Sequence, residues 1–199
     1  MYYNFPEGIG QCLTNFLKDF QNLILEADSN LKIKKDKLNM AKNTEFKTNV
    51  MRMLDKHKIN YKYYTYIDTE AVSGTEVAEV LGQNPAQVFK TLVTVGKTGN
   101  YYVFVIPVEK ELDLKKAAHC VGEKSVEMLK LKDLLPTTGY IHGGCSPIGM
   151  KKFFKTTFDS SAKDFDTIVF SAGKIGYQVE LGLEELKSAI QFQLEDITM

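Results

Sequence analysis

The sequence predicts an α+β fold in which helices pack against a mixed β-sheet. Two observations indicate this class. Short β-branched and aromatic runs alternate along the chain with segments of helical periodicity, and two such runs, at 91–95 and 101–108, flank a glycine-containing turn that is typical of a β-hairpin. A hairpin pairs its strands antiparallel, whereas interleaved helices favour parallel pairing. We therefore expect both kinds of pairing in one sheet.

Length, composition and charge limit the classes of function. The chain has 199 residues, of which 44% are hydrophobic, enough for one domain with an appendage and a core that needs no disulfide. Because 25 basic residues balance 25 acidic ones, any nucleic-acid contact must be local, and DNA is not an expected partner. Three cysteines without a C-x-x-C motif fit a reducing cytoplasm. No apolar run approaches the roughly 20 residues of a membrane span, so no membrane partner is expected.

Residues 1–39 are predicted to be an extension of the main domain. Apolar residues between positions 10 and 26 recur at three- and four-residue intervals, which predicts an amphipathic helix. A lysine-rich polar segment at 32–37 follows and is typical of a linker. The helix is interpreted as a docking or oligomerisation element; in the alternative interpretation, translation starts at Met40 and the extension is not made.

The main domain, residues 40–199, shows a clear succession of elements. Thr48 is a suitable N-cap for a first helix, and Gly82 a suitable end for a second helix at 75–81. Besides the hairpin, strands are predicted at 61–67, 156–159, 167–171 and 177–181, with a short strand or turn at 125–129. Further helical segments are predicted at 112–120, 132–135 and 183–192.

A glycine-rich segment at 138–149 is a candidate binding loop. It holds four glycines and one proline in twelve residues. Glycines permit positive φ and close approach of the backbone, so that consecutive N–H groups can converge on a carbonyl oxygen or a phosphate. A tight connection between two elements is the structural alternative.

Cys145 and His142 in this segment raise the question of thiol catalysis. A cysteine nucleophile needs a nearby base or positive charge, but a spacing of three residues is uninformative, and a cysteine in such a loop is more often a packing residue. A nucleophile-elbow serine is disfavoured because the final glycine of G-x-S-x-G is missing. His119 and Cys120 could join them as zinc ligands, but adjacent ligands rarely converge, and no metal is expected.

Lys90 stands at the entry to an apolar strand. Its side chain either extends to solvent or places an ammonium group in a pocket beside an anionic group. No phosphate-binding or dinucleotide-binding fingerprint occurs, and the carboxylates are scattered, so no cofactor is expected.

Taken together, residues 46–197 resemble the YbaK/EbsC family of freestanding aminoacyl-tRNA editing enzymes, which is related to the editing domain inserted in bacterial prolyl-tRNA synthetases. Five ordered motifs carry the resemblance. They are K-T-N-V-M-R-M-L at 47–54, N-P-A-Q-V-F-K-T-L at 84–92, L-D-L-K-K at 112–116, T-G-Y-I-H-G-G-C-S-P-I-G at 138–149 and S-A-G-K-I-G-Y-Q-V-E-L at 171–181. The resemblance implies a largely antiparallel curved sheet, a partial barrel, flanked by helices.

The resemblance also implies a function and a set of site residues. The implied reaction is hydrolysis of cysteine wrongly attached to proline tRNA, extending in some members to other cysteinyl-tRNAs. Lys90 matches the essential lysine of the family. The implied substrate-binding residues are the G-x-x-x-P loop, formed by Gly143, Gly144, Cys145, Ser146 and Pro147, together with Tyr66, Ser171 and Gln178. Gln178 stands where some members have aspartate, so a carboxylate role is not carried over.

Family members are thought to let the thiol of the substrate cysteine attack its own ester, which releases a cyclic thiolactone. In this interpretation the loop N–H groups hold the carbonyl or the ribose, Lys90 contacts the terminal adenosine, and Cys145 is only loop structure. The implied partners are the 3′ acceptor end of tRNA carrying cysteine and a prolyl-tRNA synthetase that hands over its product. A binding module that recognises the same end without hydrolysis is the alternative function.

Overall fold

The structure is a computed structural model that describes residues 47–199. The helix and linker predicted within residues 1–39 lie outside the described residues. No helix of the described part is both long enough and apolar enough to cross a membrane.

Residues 47–199 form five α-helices, eight β-strands and two short 3₁₀ helices. The α-helices are α1 (Asn49–Lys56), α2 (Gly74–Val80), α3 (Leu114–Val121), α4 (Leu131–Thr138) and α5 (Leu183–Ala189). The strands are β1 (Lys62–Thr65), β2 (Val88–Gly96), β3 (Tyr101–Pro107), β4 (Val126–Met128), β5 (Lys155–Asp159), β6 (Ile168–Ser171), β7 (Tyr177–Leu181) and β8 (Gln193–Glu195). The 3₁₀ helices are Pro85–Gln87 and Ser160–Asp164.

All eight strands belong to one open sheet in the order β1-β7-β6-β2-β3-β5-β8, with β4 paired to the end of β2. The pairs β1/β7, β6/β7, β2/β3 and β2/β4 are antiparallel. The pairs β2/β6, β3/β5 and β5/β8 are parallel. The predicted α+β class with a mixed sheet is therefore confirmed.

Local chemistry explains several of the correctly predicted elements. The Thr48 hydroxyl accepts a hydrogen bond from the Met51 N–H at 3.2 Å, which caps α1. The Ser73 side chain and Glu76 form a capping box at the start of α2. In the β2–β3 turn, Gly99 adopts a φ of +86°, a conformation that favours glycine. These are short-range signals, which is why the sequence alone reveals them.

The prediction of a helix at 183–192 is wrong beyond residue 189. Helix α5 ends at Ala189, and Leu194, which continues the apolar spacing of the helix, belongs to strand β8 instead. There it lies opposite Phe158 of β5 in a parallel pair. Pairing with a distant strand has overridden the local periodicity.

Two larger apolar clusters of residues 47–199 contain side chains from opposite faces of the sheet, and a small third one contains Ala78 and Val88. The larger packs around α1 and includes the fully buried side chains Phe158 and Phe170. The smaller lies beneath α3 and includes Phe104, Ile106 and Ile197. The sheet is thus packed on both sides along its central strand β2.

Candidate functional site

A pocket of about 470 Å³ lies where β2, β6 and β7 are neighbours in the sheet. This volume falls within the roughly 300–1,000 Å³ typical of small-ligand sites. Six of the predicted site residues line the pocket: Tyr66, Lys90, Gly143, Cys145, Ser171 and Gln178. They come from five separate segments of the chain, so only the fold brings them together.

Three of these residues lie on three neighbouring strands of the sheet. Ser171 of β6 lies directly opposite Gln178 of β7. Phe89 of β2 lies opposite Phe170 of β6 where the parallel pairing ends, and Lys90 and Ser171 are the residues that follow them. Side chains alternate between the faces of a sheet, so Lys90, Ser171 and Gln178 share the face opposite the two phenylalanines. The strand register therefore creates the polar floor of the pocket.

The Lys90 ammonium group is paired with a carboxylate that the sequence does not indicate. Lys90 Nζ donates a hydrogen bond to Glu111 Oε1 at 3.0 Å. The Lys90 side chain is 28% exposed and that of Glu111 is 70% exposed, so the pair lies at the edge of the pocket. The Glu111 carbonyl accepts a hydrogen bond from the N–H of Met199, which ties this loop to the chain end. An exposed pair of this kind contributes about 0–1 kcal/mol and can exchange for a ligand anion.

Ser171 and Gln178 offer one donor and one acceptor to a ligand. The Ser171 hydroxyl oxygen accepts from the Gly173 N–H at 3.2 Å, which leaves its own proton free to donate. Gln178 is only 6% exposed, and its Oε1 atom has no hydrogen-bond partner among the described residues. A buried carbonyl oxygen without a partner is costly and rare in native proteins. A donor group on a bound ligand would satisfy it.

The glycine-rich loop is held in place from within. The buried Tyr140 hydroxyl donates to the Ile148 carbonyl at 2.6 Å, and burial raises the pKa of Tyr140 to about 12. Gly143 adopts a φ of +78°. A Cβ atom on Gly144 would lie 3.1 Å from the backbone nitrogen of Ile175, so glycine allows the loop to approach the β6–β7 turn closely. The loop is therefore a rigid wall of the pocket.

The five residues of the G-x-x-x-P loop do not all face the pocket. Gly143 and Cys145 line it, and their N–H groups have no acceptor within residues 47–199. The Gly144 N–H already donates to the Ile141 carbonyl at 3.1 Å. Ser146 is fully buried away from the pocket lining, with its hydroxyl accepting from the Ile148 N–H at 3.4 Å. Pro147 lines a second, smaller cavity.

The structure gives Cys145 a protonated thiol. Burial raises its pKa to about 12, so the nucleophilic thiolate is scarce at neutral pH. The Cys120 thiol on α3 donates a hydrogen bond to the Ala117 carbonyl at 3.2 Å. Within residues 47–199, no three His, Cys, Asp or Glu side chains are grouped so that they could hold a metal ion.

Tyr66 and the apolar rim complete the pocket. The Tyr66 N–H donates to the Gly176 carbonyl at 2.9 Å, which continues the β1–β7 pairing by one residue beyond Thr65 and Tyr177. Val72, Met128 and Leu131 line the opening and remain substantially exposed. Their sequence context does not distinguish them from other apolar residues, so only the structure identifies them.

Comparison with known proteins identifies relatives of this chain. The family model described as an aminoacyl-tRNA editing domain matches residues 69–189. A protein of Enterococcus faecalis, EbsC, described as a candidate Cys-tRNA(Pro)/Cys-tRNA(Cys) deacylase, is 51% identical over 158 residues, covering 79% of this chain and 96% of that protein. A proline–tRNA ligase of Thermosipho melanesiensis is 27% identical over 61% of this chain but only 20% of the ligase.

A solved structure supports the fold independently. A candidate trans-editing enzyme for prolyl-tRNA synthetase superposes with a TM-score of 0.65 and 21% identity, covering 76% of this chain and 98% of that one. At this identity the superposition concerns the fold alone. The match of the family model to more than half of the chain and the 51% identity to EbsC lead to one conclusion: this chain belongs to the aminoacyl-tRNA editing domain family.

Proposed function

We propose that this chain is a trans-editing deacylase that removes cysteine wrongly attached to proline tRNA, with cysteinyl-tRNA for cysteine as a second substrate. The similarity to EbsC across almost the whole of that protein is the observation that carries the proposal. The pocket supports it, because Lys90, Ser171, Gln178 and the free N–H groups of the loop surround one cavity. Such a cavity suits the small aminoacyl end of a tRNA.

The proposed reaction uses the thiol of the substrate. The cysteine sulfur attacks its own ester carbonyl, the bond from that carbonyl carbon to the ribose oxygen breaks, and the thiol proton passes to the ribose oxygen. The products are tRNA and a cyclic thiolactone, which water opens to free cysteine. Because the nucleophile belongs to the substrate, the enzyme has only to position the ester and stabilise the developing negative charge. The protonated thiol of Cys145 is consistent with a mechanism in which the substrate, and not the protein, supplies the nucleophile.

Each polar group of the pocket has a place in this scheme. The Gly143 and Cys145 N–H groups are available to the ester carbonyl oxygen, where donors of this kind are each worth about 3–4 kcal/mol in other enzymes. Lys90 would leave Glu111 and contact the phosphate or ribose of the terminal adenosine. The unpaired Oε1 of Gln178 would accept a hydrogen bond from the α-ammonium group of the aminoacyl ester.

Selectivity in this scheme has two sources. Alanine fits the pocket but lacks the thiol, whereas larger side chains are excluded by the loop and the sheet. With a net charge of zero, the chain gains little from long-range attraction to the body of tRNA. We propose that a prolyl-tRNA synthetase supplies the mischarged tRNA directly and that the reaction takes place in the cytoplasm.

The alternative function is a binding module that recognises the aminoacyl end without cleaving it. The retained Lys90 and the unpaired Gln178 oxygen are compatible with both functions, since either could serve binding alone. Hydrolysis is the property that separates the two functions.

The decisive experiment measures deacylation of cysteinyl- and alanyl-tRNA(Pro) by the wild type, Lys90→Ala and the control Lys97→Ala in the exposed β2–β3 turn. We expect hydrolysis of the cysteinyl ester only, retained by Lys97→Ala and lost in Lys90→Ala with the fold intact. Alkylating the substrate thiol should stop the reaction. An unchanged rate after alkylation would replace the thiolactone route by attack of water, and absence of hydrolysis of either substrate would favour the binding module.

A further inference from the structure

A second cavity of about 240 Å³ adjoins the same loop that forms the wall of the pocket. Pro147, Phe154 and Ile190 supply apolar walls, and the exposed residues Lys152 and Phe153 lie at its opening. The cavity is smaller than the roughly 300–1,000 Å³ of sites for drug-sized ligands. It is therefore suited to one planar ring system rather than to a larger molecule.

Phe153 is the most exposed aromatic side chain among residues 47–199, at 74%. Its neighbour Phe154 is buried and packs edge-to-face against Tyr101 with ring centroids 6.3 Å apart, so the segment is anchored while the Phe153 ring stays free. An exposed, anchored aromatic ring beside a small cavity is the arrangement on which nucleobases stack in single-strand binding proteins.

The charge around this cavity is locally positive although the chain is neutral overall. Lys151 and Lys152 line the cavity, and within residues 47–199 no acidic residue lines it. Lys155 follows three residues later, with its Nζ donating to the Cys120 carbonyl at 3.3 Å. Lys151 is engaged, because its Nζ donates to the Leu135 carbonyl at 3.3 Å. Lys152 has no hydrogen-bond or ion-pair partner in the described part of the chain, so its ammonium group is available to a phosphate.

The second cavity lies close to the pocket. Cys145 lines the pocket and Pro147 lines the cavity, and two residues of chain span at most about 7 Å. A strand whose last nucleotide occupies the pocket would thus reach the cavity with the nucleotide before it.

We propose that this cavity binds the unpaired nucleotide that precedes the terminal adenosine of tRNA, with its base stacked on Phe153 and its phosphate contacted by Lys152. The inference rests on the proposed function for the identity of the ligand. In this proposal, residues outside the pocket that holds the ester bind the single strand. It also explains how a chain without net charge retains tRNA through contacts confined to the acceptor end.

The test is equilibrium binding of uncharged tRNA to the full chain, with intact tRNA and with tRNA trimmed of its unpaired 3′ nucleotides. Phe153→Ala should weaken binding of intact tRNA at least about fivefold and leave binding of trimmed tRNA unchanged. Lys152→Ala should weaken binding of intact tRNA. It should also reduce the slope of the logarithm of the binding constant against the logarithm of salt concentration by about one. The matched controls are Leu114→Ala and Lys163→Ala, which are exposed elsewhere and should change nothing.

Three results would overturn the inference: wild-type affinity in Phe153→Ala, equal weakening for intact and trimmed tRNA, or no preference of the wild type for the intact 3′ end. Wild-type tRNA affinity in Phe153→Ala is also the result expected if Phe153 instead contacts an apolar segment of a protein partner. Deacylation is measured in parallel, so that the two proposals can fail separately. Phe153-dependent binding without hydrolysis would reject only the editing activity, and hydrolysis with an unchanged KM in Phe153→Ala would reject only the nucleotide site.

Discussion

Cys145 lies in the wall of the pocket, yet its chemistry argues against a nucleophilic role. Burial raises the pKa of its thiol to about 12, so almost no thiolate is present at pH 7 to 8. We expect Cys145→Ala and Cys145→Ser to deacylate cysteinyl-tRNA(Pro) at close to the wild-type rate across this pH range. Single-turnover rates at several pH values measure this. Loss of turnover in both variants, with unchanged circular dichroism, would assign the nucleophile to the protein.

Gly143 combines a positive φ with a position in the pocket, and the chain offers a matched control. Gly99 in the β2–β3 turn has a similar φ of +86° and lies outside the pocket lining. A Cβ atom there would meet no atom of residues 47–199 within 4 Å. Alanine at either position should cost about 1–2 kcal/mol of unfolding free energy because of the left-handed backbone. Only Gly143→Ala should also slow deacylation. Equal activity of the two variants at equal stability would remove Gly143 from the site.

The residues of the pocket differ in how far the sequence could identify them. Lys90, Ser171 and Gln178 stand in motifs that resemble an editing family, so their presence in one pocket could be predicted. Glu111 could not, because it lies 21 residues from Lys90 and only the packing of the chain end directs it there. The hydrogen bond from the Gly144 N–H to the Ile141 carbonyl could not be predicted either, because it depends on the conformation of the loop.

At the scale of elements, β1 is an edge strand attached to β7 through a polar cluster. Glu180 accepts hydrogen bonds from the Tyr64 hydroxyl, from the Thr167 hydroxyl at 2.7 Å and from Lys62 Nζ at 3.4 Å. Burial alone would raise the pKa of Glu180, but these hydrogen bonds outweigh it and hold the pKa below its usual value. The charged carboxylate therefore stabilises the folded state.

This cluster predicts a pH-dependent stability. A lowered pKa gives stability that is present above the unfolded value of about 4.3 and is lost as the pH falls through the folded value. Glu180→Gln should lower the unfolding free energy by about 1–3 kcal/mol at pH 7, and the difference from wild type should shrink below about pH 4. Urea unfolding at pH 7 and pH 3.5 measures this. The exposed control Glu79→Gln should stay within about 0.5 kcal/mol of wild type, and a pH-independent difference would contradict the assignment.

Elements with strong local signals were predicted, including the strands β1, β5, β6 and β7, whereas the three-residue strand β8 was not. The β2–β3 hairpin and the capped helix α1 follow from turn glycines, a capping hydroxyl and short-range periodicity. Strand β8 exists because Gln193–Glu195 pairs in parallel with β5, and nothing within those three residues indicates that pairing. The same holds for the isolated bridge between Leu112 and Thr198. The sequence of one short segment does not identify the distant strand with which it pairs.

At the scale of the whole molecule, those residues within 47–199 that line the pocket lie between positions 66 and 178, and the family model matches 69–189. We therefore propose that residues 40–199 form the editing domain and that residues 1–39 serve docking rather than catalysis. A chain that starts at Met40 should deacylate cysteinyl-tRNA(Pro) within about twofold of the full chain, a change below about 0.4 kcal/mol in the activation free energy.

The same pair of chains tests the docking role. Capture of purified prolyl-tRNA synthetase by the full chain, reduced in the chain that starts at Met40, is the expected result. Equal capture by both would place any synthetase contact within residues 40–199. Because long-range charge contributes little to a neutral chain, hand-over should matter most when tRNA is dilute. Adding the synthetase should therefore accelerate deacylation by the full chain at low tRNA concentration and have a smaller effect on the shortened one.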